Sequence, residues 1–96
     1  MAIDYTKELR DFIALGDGKE VLRLAMDAKN KGNTETALDL FHLAAGMGES
    51  DALFEIASIY VEGNGIPKDL ELGLSYYRMA KEKGNARAEK ALSDLL

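Results

Sequence analysis

The residues that could carry chemistry are few and lie in the middle of the chain. His42 is the only histidine and there is no cysteine, so a metal site or a nucleophile–base pair built on these residue types would lack members. Asp51 and Glu55 lie four residues apart, a spacing that puts both carboxylates on one helix face, where they could act as an acid–base pair. The alternative is a solvated helix face, with Asp51 favoured by the helix N-terminus. The sequence favours this second interpretation.

A glycine-rich segment, Gly63-Asn64-Gly65, is a further candidate site. Glycine-rich loops can hold phosphate through backbone N–H groups, but Lys68 does not lie at the spacing of a phosphate-binding loop and no strand precedes it. The two glycines permit positive φ, Pro67 fixes φ, and Asp69 can cap a following helix. The sequence therefore predicts a structural turn here. We predict no catalytic residue, no metal site and no cofactor.

Acidic residues are concentrated in one window of the chain. Between Lys31 and Lys68 there is no lysine or arginine, yet the window contains Glu35, Asp39, Glu49, Asp51, Glu55 and Glu62. Two interpretations stay open, namely a solvated acidic band and a docking face for a basic peptide or subunit.

Composition limits the class of protein. With 96 residues, 47% of them hydrophobic, the chain suits a single domain over residues 1–96. A net charge of −5 disfavours nucleic acid and anionic membranes as partners, because binding to them depends on lysine and arginine neutralising phosphate. The first residues never reach an apolar run of signal-peptide length, and no stretch approaches the ~18 apolar residues of a membrane span. We therefore expect a cytoplasmic protein.

The elements that must position these residues repeat along the chain. A shift of 36 positions superimposes Leu38 on Leu74 and Gly48 on Gly84, and a shift of 32 superimposes Gly16 on Gly48. Such a period is typical of stacked arrays. Apolar residues at helical spacing, punctuated by glycines, predict six helices at about 4–15, 18–31, 34–46, 50–62, 69–83 and 86–95.

Helix ends and connections define the predicted architecture. The predicted C-terminal stops are Gly16, Gly32, Gly46 with Gly48, Gly63 and Gly84. The predicted N-caps are Asp17, Asn33 or Thr34, Ser50, Asp69 and Asn85. Because short connections make neighbouring helices antiparallel, the predicted fold class is all-α. It is an α/α right-handed superhelix, or solenoid, with two full hairpins, 18–46 and 50–83, and a capping helix at each end.

One stretch carries a family pattern. It reads Ala52-Leu53-x-x-Ile56-Ala57-x-Ile59-Tyr60-x-x-Gly63-x-Gly65-Ile66-Pro67-x-Asp69, followed by Tyr76-Tyr77-x-x-Ala80 and Gly84. Residues 50–84 thus resemble the Sel-one-like repeat, a relative of the tetratricopeptide repeat, whose most specific part is the Gly-x-Gly-aliphatic-Pro-x-Asp turn. Ala57 stands where the family prefers glycine, Gly73 where it prefers alanine, and Lys81 where it prefers a second alanine. The resemblance implies a scaffold for protein–protein contacts, often in bacteria, without intrinsic catalysis, and it implies that Tyr60 faces the core.

The predicted partner-binding surface combines an apolar and an acidic part. From the core register of the first helix in each hairpin, the side chains expected on the inner, concave wall are Leu22, Met26, Phe54, Ser58 and Val61. The acidic part comprises Asp51, Glu55 and Glu62. An apolar patch of this kind commonly marks an interaction site. The alternative is that these side chains pack against the end helices.

The C-terminal leucines leave two possibilities open. Leu92, Leu95 and Leu96 lack a following hairpin in this sequence, so a homodimer could form through this end. In the other interpretation, Leu92 and Leu96 pack inward and only Leu95 is exposed. We interpret the chain as a protein–protein interaction module, such as an adaptor, a regulator or an immunity-type inhibitor, with a protein or peptide partner that could be basic. The alternatives are a self-assembling structural repeat protein and a carboxylate-based hydrolase.

Overall fold

The computed structural model describes residues 6–96, apart from the side chain of Glu8. Within that range every regular element is a helix, which confirms the predicted all-α solenoid class. The helices are α1 Thr6–Ala14, α2 Gly18–Asn30, α3 Thr34–Gly46, α4 Ser50–Glu62, α5 Leu70–Glu82 and α6 Ala86–Leu95. The predicted bounds of α2 to α6 agree to within about one residue. The predicted start of α1 at residue 4 lies outside the described residues.

The helices form two layers. α2 packs on α3 and α4 packs on α5 as hairpins, while α3 contacts α4 and α5 contacts α6 across the hairpins. An ion pair joins Lys29 of α2 to Glu55 of α4, and a second joins Glu55 to Arg87 of α6. A ring contact joins His42 of α3 to Tyr76 of α5. We therefore describe α2, α4 and α6 as the A layer and α3 and α5 as the B layer.

Two hydrophobic clusters fill the space between the layers. The first lies between α2, α3 and α4, where Val21, Phe41 and Ile56 are fully buried, and Leu9 and Phe12 of α1 pack against it. The second joins α4, α5 and α6 through Leu53, Tyr77, Ala80, Ala88 and Leu92. Since each cluster takes residues from successive hairpins, neither hairpin buries its apolar face alone.

Three of the predicted N-caps make the expected hydrogen bond and one is wrong. The side chains of Asp17, Asp69 and Asn85 accept hydrogen bonds from Glu20, Leu72 and Ala88 N–H, at 3.2, 3.1 and 3.0 Å. Ser50 instead is the first residue of α4, and Glu49 takes the cap position without a side-chain hydrogen bond. The Ser50 hydroxyl accepts a hydrogen bond from Asn85 Nδ2 at 3.3 Å, so its role is to join the starts of α4 and α6.

The glycine-rich turn, Gly63-Asn64-Gly65, packs against the start of α3. Asn33 takes the cap position of α3 without a side-chain hydrogen bond, and the Thr34 hydroxyl donates to the Asn64 carbonyl at 3.3 Å. Gly65 has a φ of +87°, and a Cβ added there would overlap the Thr34 side chain. Glycine at this position therefore serves close packing between the two hairpins, as expected for a structural turn.

Tyr60 differs from its expected place. The structure leaves it half-buried, with its ring parallel to that of Tyr76 at a centroid distance of 6.2 Å. Ile56 and Ile59 occupy the inward positions of α4, which turns Tyr60 to the flank of the helix. The buried aromatic of this hairpin is Tyr77, whose hydroxyl shares a 2.8 Å hydrogen bond with Ser58.

Glycine in α5 allows α4 and α5 to approach closely. A Cβ added at Gly73 would lie 2.5 Å from Val61 Cγ2 and 3.0 Å from the Ala57 carbonyl oxygen. Gly46 is the last residue of α3, and a Cβ added there would have no atom beyond those of its own helical turn within 4 Å. The left-handed φ, +95°, belongs to Gly48.

Alanine at these two glycines is expected to have opposite effects on stability. Gly73→Ala should lower the free energy of unfolding by about 1–2 kcal/mol, because overpacking outweighs the gain in helix propensity. Gly46→Ala should raise it by up to about 1 kcal/mol. Urea unfolding followed by circular dichroism measures both. A Gly73→Ala protein as stable as Gly46→Ala would show that α4 and α5 are not in close contact.

Candidate partner-binding site

A buried carboxylate joins the three helices of the A layer. Glu55 is 4% exposed, and its Oε1 accepts a hydrogen bond from Lys29 Nζ at 2.7 Å. Its Oε2 lies 3.5 Å from Arg87 Nη2. One glutamate of α4 therefore holds a cation from α2 on one side and a cation from α6 on the other. A buried charge is tolerated only with such partners.

Asp51 belongs to the same network at its exposed edge. Its Oδ1 accepts a hydrogen bond from Asn85 Nδ2 at 2.8 Å and lies 3.7 Å from Arg87 Nη1. Asp51 and Glu55 thus share Arg87 as a counter-charge. The sequence spacing of Asp51 and Glu55 allowed an acid–base pair. In the structure, both carboxylates belong to an ion-pair network between helices.

Two residues assigned to the predicted surface are buried. Glu55 was expected to face solvent in the acidic band, and Ser58 to face the concave wall, but Ser58 is only 9% exposed and is hydrogen-bonded to Tyr77. The cause is the central place of α4, which has helices on both sides and so keeps a narrow solvent-facing strip. Both side chains therefore lie below the solvent-facing surface, where they make hydrogen bonds to neighbouring helices.

Phe54 is one of the partly exposed side chains of α4. It is half-buried, its ring lies 5.4 Å from that of Tyr77 between centroids, and the Arg87 guanidinium carbon lies 4.0 Å from its centroid. Glu55 and Asp51 hold that guanidinium, so a cation–π contact and two ion pairs fix the same side chain. Aromatic and arginine side chains arranged in this way are typical of binding hot spots.

The other predicted apolar residues lie on either side. Leu22 and Met26 are half-buried and pack against the first cluster, whereas Val61 is half-buried and packs against the second, as does Phe54. That these side chains form one continuous patch stays a prediction. We call the solvent-facing parts of this layer the A-helix face, defined by Leu22, Met26, Lys29, Asp51, Phe54, Val61, Glu62 and Arg87.

The acidic band divides into paired and unpaired carboxylates. Asp51 and Glu55 are paired, whereas Glu35, Asp39 and Glu62 are exposed and make no ion pair within residues 6–96. Lys29 and Arg87, which sequence reasoning missed, lie outside the lysine-free window. For Arg87 the sequence signal is the repeat, since a shift of 36 places Asp51 on Arg87, whereas the repeat gives no signal for Lys29.

His42 and the C-terminal leucines can also be placed. His42 is exposed, with its ring edge-on to Tyr76 at 5.7 Å between centroids. Among the described residues no group of three or more His, Cys, Asp or Glu could hold a metal ion. Leu92 is buried, while Leu95 and Leu96 are 44% and 79% exposed. Leu96 therefore does not pack inward as one of the two expectations required.

The Sel1 repeat family model matches residues 28–49 and 50–85. The chain belongs to the Sel1 repeat family. Sel1 repeats are a protein–protein interaction repeat type. The boundary between the two Sel1 matches falls where α4 begins, and the first match omits most of α2.

A solved structure supports the Sel1 fold. The crystal structure of a Sel1 repeat protein from Oxalobacter formigenes superimposes with a TM-score of 0.80 at 29% sequence identity. The match covers 92% of this chain and 38% of that chain, so the chain spans well under half the length of the solved relative. The curated proteins with which the chain was compared gave no match. Between residues 6 and 96, no helix has the length and apolar character needed to cross a membrane.

Proposed function

We propose that this Sel1 repeat chain is a protein–protein interaction module that binds a partner on the A-helix face. In this role it acts as an adaptor, a regulator or an immunity-type inhibitor. The observation that carries the proposal is the placement of Arg87 over Phe54 by Glu55 and Asp51. It puts an aromatic ring and a guanidinium, two groups enriched in hot spots, at the centre of one surface.

Rigidity of the face supports the proposal. The Arg87 guanidinium already contacts Phe54, Asp51 and Glu55 in the free protein, so we expect it to lose less rotamer entropy on binding than an arginine without such contacts. Lys29 is fixed in the same way by Glu55 at 2.7 Å. Binding to a face whose long charged side chains already have partners loses less side-chain conformational entropy than binding to a face whose side chains are mobile.

Charge supports a basic partner. Glu62 is exposed on α4 and unpaired within the described residues, and Asp51 is half-exposed at the edge of the network. Such peripheral charges act mainly on the rate of association. The bacterial source of the structural relative supports a bacterial setting, and we place the protein in the cytoplasm.

Two other functions fit the site less well. A carboxylate-based hydrolase would need Asp51 and Glu55 free to exchange protons with a substrate, whereas both are engaged by Arg87. Self-assembly through α6 has the exposure of Leu95 and Leu96 in its favour. The A-helix face offers a larger set of ordered groups, so we favour partner binding without catalysis.

Loss of Phe54 is expected to weaken the partner complex strongly. The partner is first identified by co-purification from the native host and mass spectrometry, and its affinity is then measured by isothermal titration calorimetry. Phe54→Asp should cost about 2 kcal/mol or more, roughly thirtyfold in Kd. Arg87→Ala should weaken binding in the same direction, since it removes the guanidinium without opening the core.

The control is His42→Ala, which lies in the B layer and should leave the affinity within about twofold of wild type. Circular dichroism checks that each variant is helical. If Phe54→Asp does not fold, Arg87→Ala alone decides. Unchanged affinity in the folded A-helix-face variants would contradict the proposal, and so would a loss of catalytic turnover in His42→Ala.

A further inference from the structure

A second surface lies in the B layer, away from the A-helix face. Leu72, Tyr76 and Met79 follow one another at helical spacing on α5, so their side chains share one stripe of the helix. Leu72 and Met79 are 37% and 44% exposed, and Tyr76 is half-buried. This stripe is adjacent to the buried stripe of α5 that contains Gly73, Tyr77 and Ala80. It faces α3, since Tyr76 contacts His42 there.

The facing wall comes from α3. The two B-layer helices run parallel, because each follows an antiparallel partner in its own hairpin, and the contact of His42 with Tyr76 sets their register. On α3, Asp39 lies one turn before His42, and on α5, Leu72 lies one turn before Tyr76. The surface around this contact has exposed apolar side chains on α5 and exposed acidic side chains on α3, and we call it the α3–α5 furrow.

Charge distinguishes this furrow from the A-helix face. α3 contains Glu35 and Asp39 and no lysine or arginine. Both carboxylates are exposed, and neither makes an ion pair with any residue from 6 to 96. On the A-helix face, by contrast, Asp51 and Glu55 are compensated by cations of the chain itself. Among residues 6–96, α3 therefore has two exposed carboxylates without an ion pair, whereas the A-helix face has one, Glu62.

We propose that the α3–α5 furrow binds a basic amphipathic helix of a partner protein. Apolar side chains of that helix at i, i+3 or i+4, and i+7 pack against Leu72, Tyr76 and Met79, as in other helix-in-groove complexes. Lysine or arginine on its flank meets Glu35 and Asp39. A second copy of this chain is a poor occupant, because the net charge of −5 makes two copies repel. The proposal does not depend on the A-helix face.

The test uses two synthetic probes and fluorescence anisotropy. The first probe is a labelled amphipathic peptide of about 15 leucines and lysines, long enough to form a helix when bound, and the second has glutamate at every lysine position. We expect the lysine probe to bind at low salt and to weaken as salt is raised. The glutamate probe should not bind. Amide chemical-shift changes caused by the lysine probe should fall on α3 and α5.

Matched variants locate the binding. Asp39→Lys and Met79→Gln should each weaken the lysine probe about tenfold, one through charge and the other through apolar contact. Glu89→Lys makes the same charge change at an exposed site of α6, and Leu95→Gln removes an equally exposed leucine of the same helix. Each control should change affinity by less than about twofold. These variants do not touch Phe54 or Arg87, so their failure is separate from failure of the A-helix face.

Three outcomes would overturn the proposal. The first is absence of lysine-probe binding at low salt. The second is equal weakening by Asp39→Lys and Glu89→Lys, which would show general charge attraction. The third is a set of shift changes confined to α2 and α6. Weakening by Asp39→Lys and Met79→Gln alone, with shifts on α3 and α5, would establish it.

Discussion

Glu55→Lys is expected to lower the free energy of unfolding by about 3–5 kcal/mol, enough to unfold much of a small domain. The new ammonium would replace a carboxylate that is 4% exposed. It would face Lys29 and Arg87 without an anion to separate them. Desolvation and repulsion then act together. Urea unfolding followed by circular dichroism measures the loss.

Glu62→Lys is the matched control, because it makes the same substitution on the same helix at an exposed site that has no ion pair among residues 6–96. It should change stability by less than about 0.5 kcal/mol. Sequence alone would have treated the two glutamates as equivalent members of one acidic band. Equal stability of the two variants would mean that Glu55 is not buried between its cations.

Phe41→Ala is expected to have an effect of similar size for a different reason. Phe41 is the largest fully buried side chain of the first cluster, which α2, α3 and α4 share. Its removal should leave a cavity and cost about 3–5 kcal/mol. Tyr60→Ala removes a half-buried ring at the flank of α4 and should cost less, below about 2 kcal/mol.

Urea midpoints for the two aromatic variants decide between the sequence-based and the structural positions of the core. A greater loss in Tyr60→Ala than in Phe41→Ala would restore Tyr60 as the inward aromatic that the family pattern implied. The slope of the urea transition checks that both variants unfold in one step.

The helices could be predicted because their signals are local. Asp69 and Asn85 bond to N–H groups three residues away, and Gly63 ends α4 with a left-handed φ of +67°. Such signals need no knowledge of the rest of the fold. The prediction for Ser50 was wrong because a serine at the start of a helix is a typical N-cap. The sequence does not show that its hydroxyl instead accepts a hydrogen bond from Asn85.

The site could be predicted only in part, because its organisation is not local. Glu55 is separated by 26 residues from Lys29 and by 32 from Arg87, and no helical spacing connects such positions. Helical periodicity placed Phe54 and Glu55 on neighbouring parts of α4 correctly. It could not show that α2 and α6 both lie close enough to Glu55 to bury it.

In a stacked helical array each unit normally touches only the units next to it, so units that are not adjacent have no direct effect on each other's stability. Glu55 introduces an exception, because α2 and α6 share one carboxylate without packing on each other as a hairpin. Detachment of α6 takes Arg87 away from Glu55 and leaves Lys29 as its only counter-ion. α2 and α6 are thereby energetically linked through one carboxylate of the helix between them.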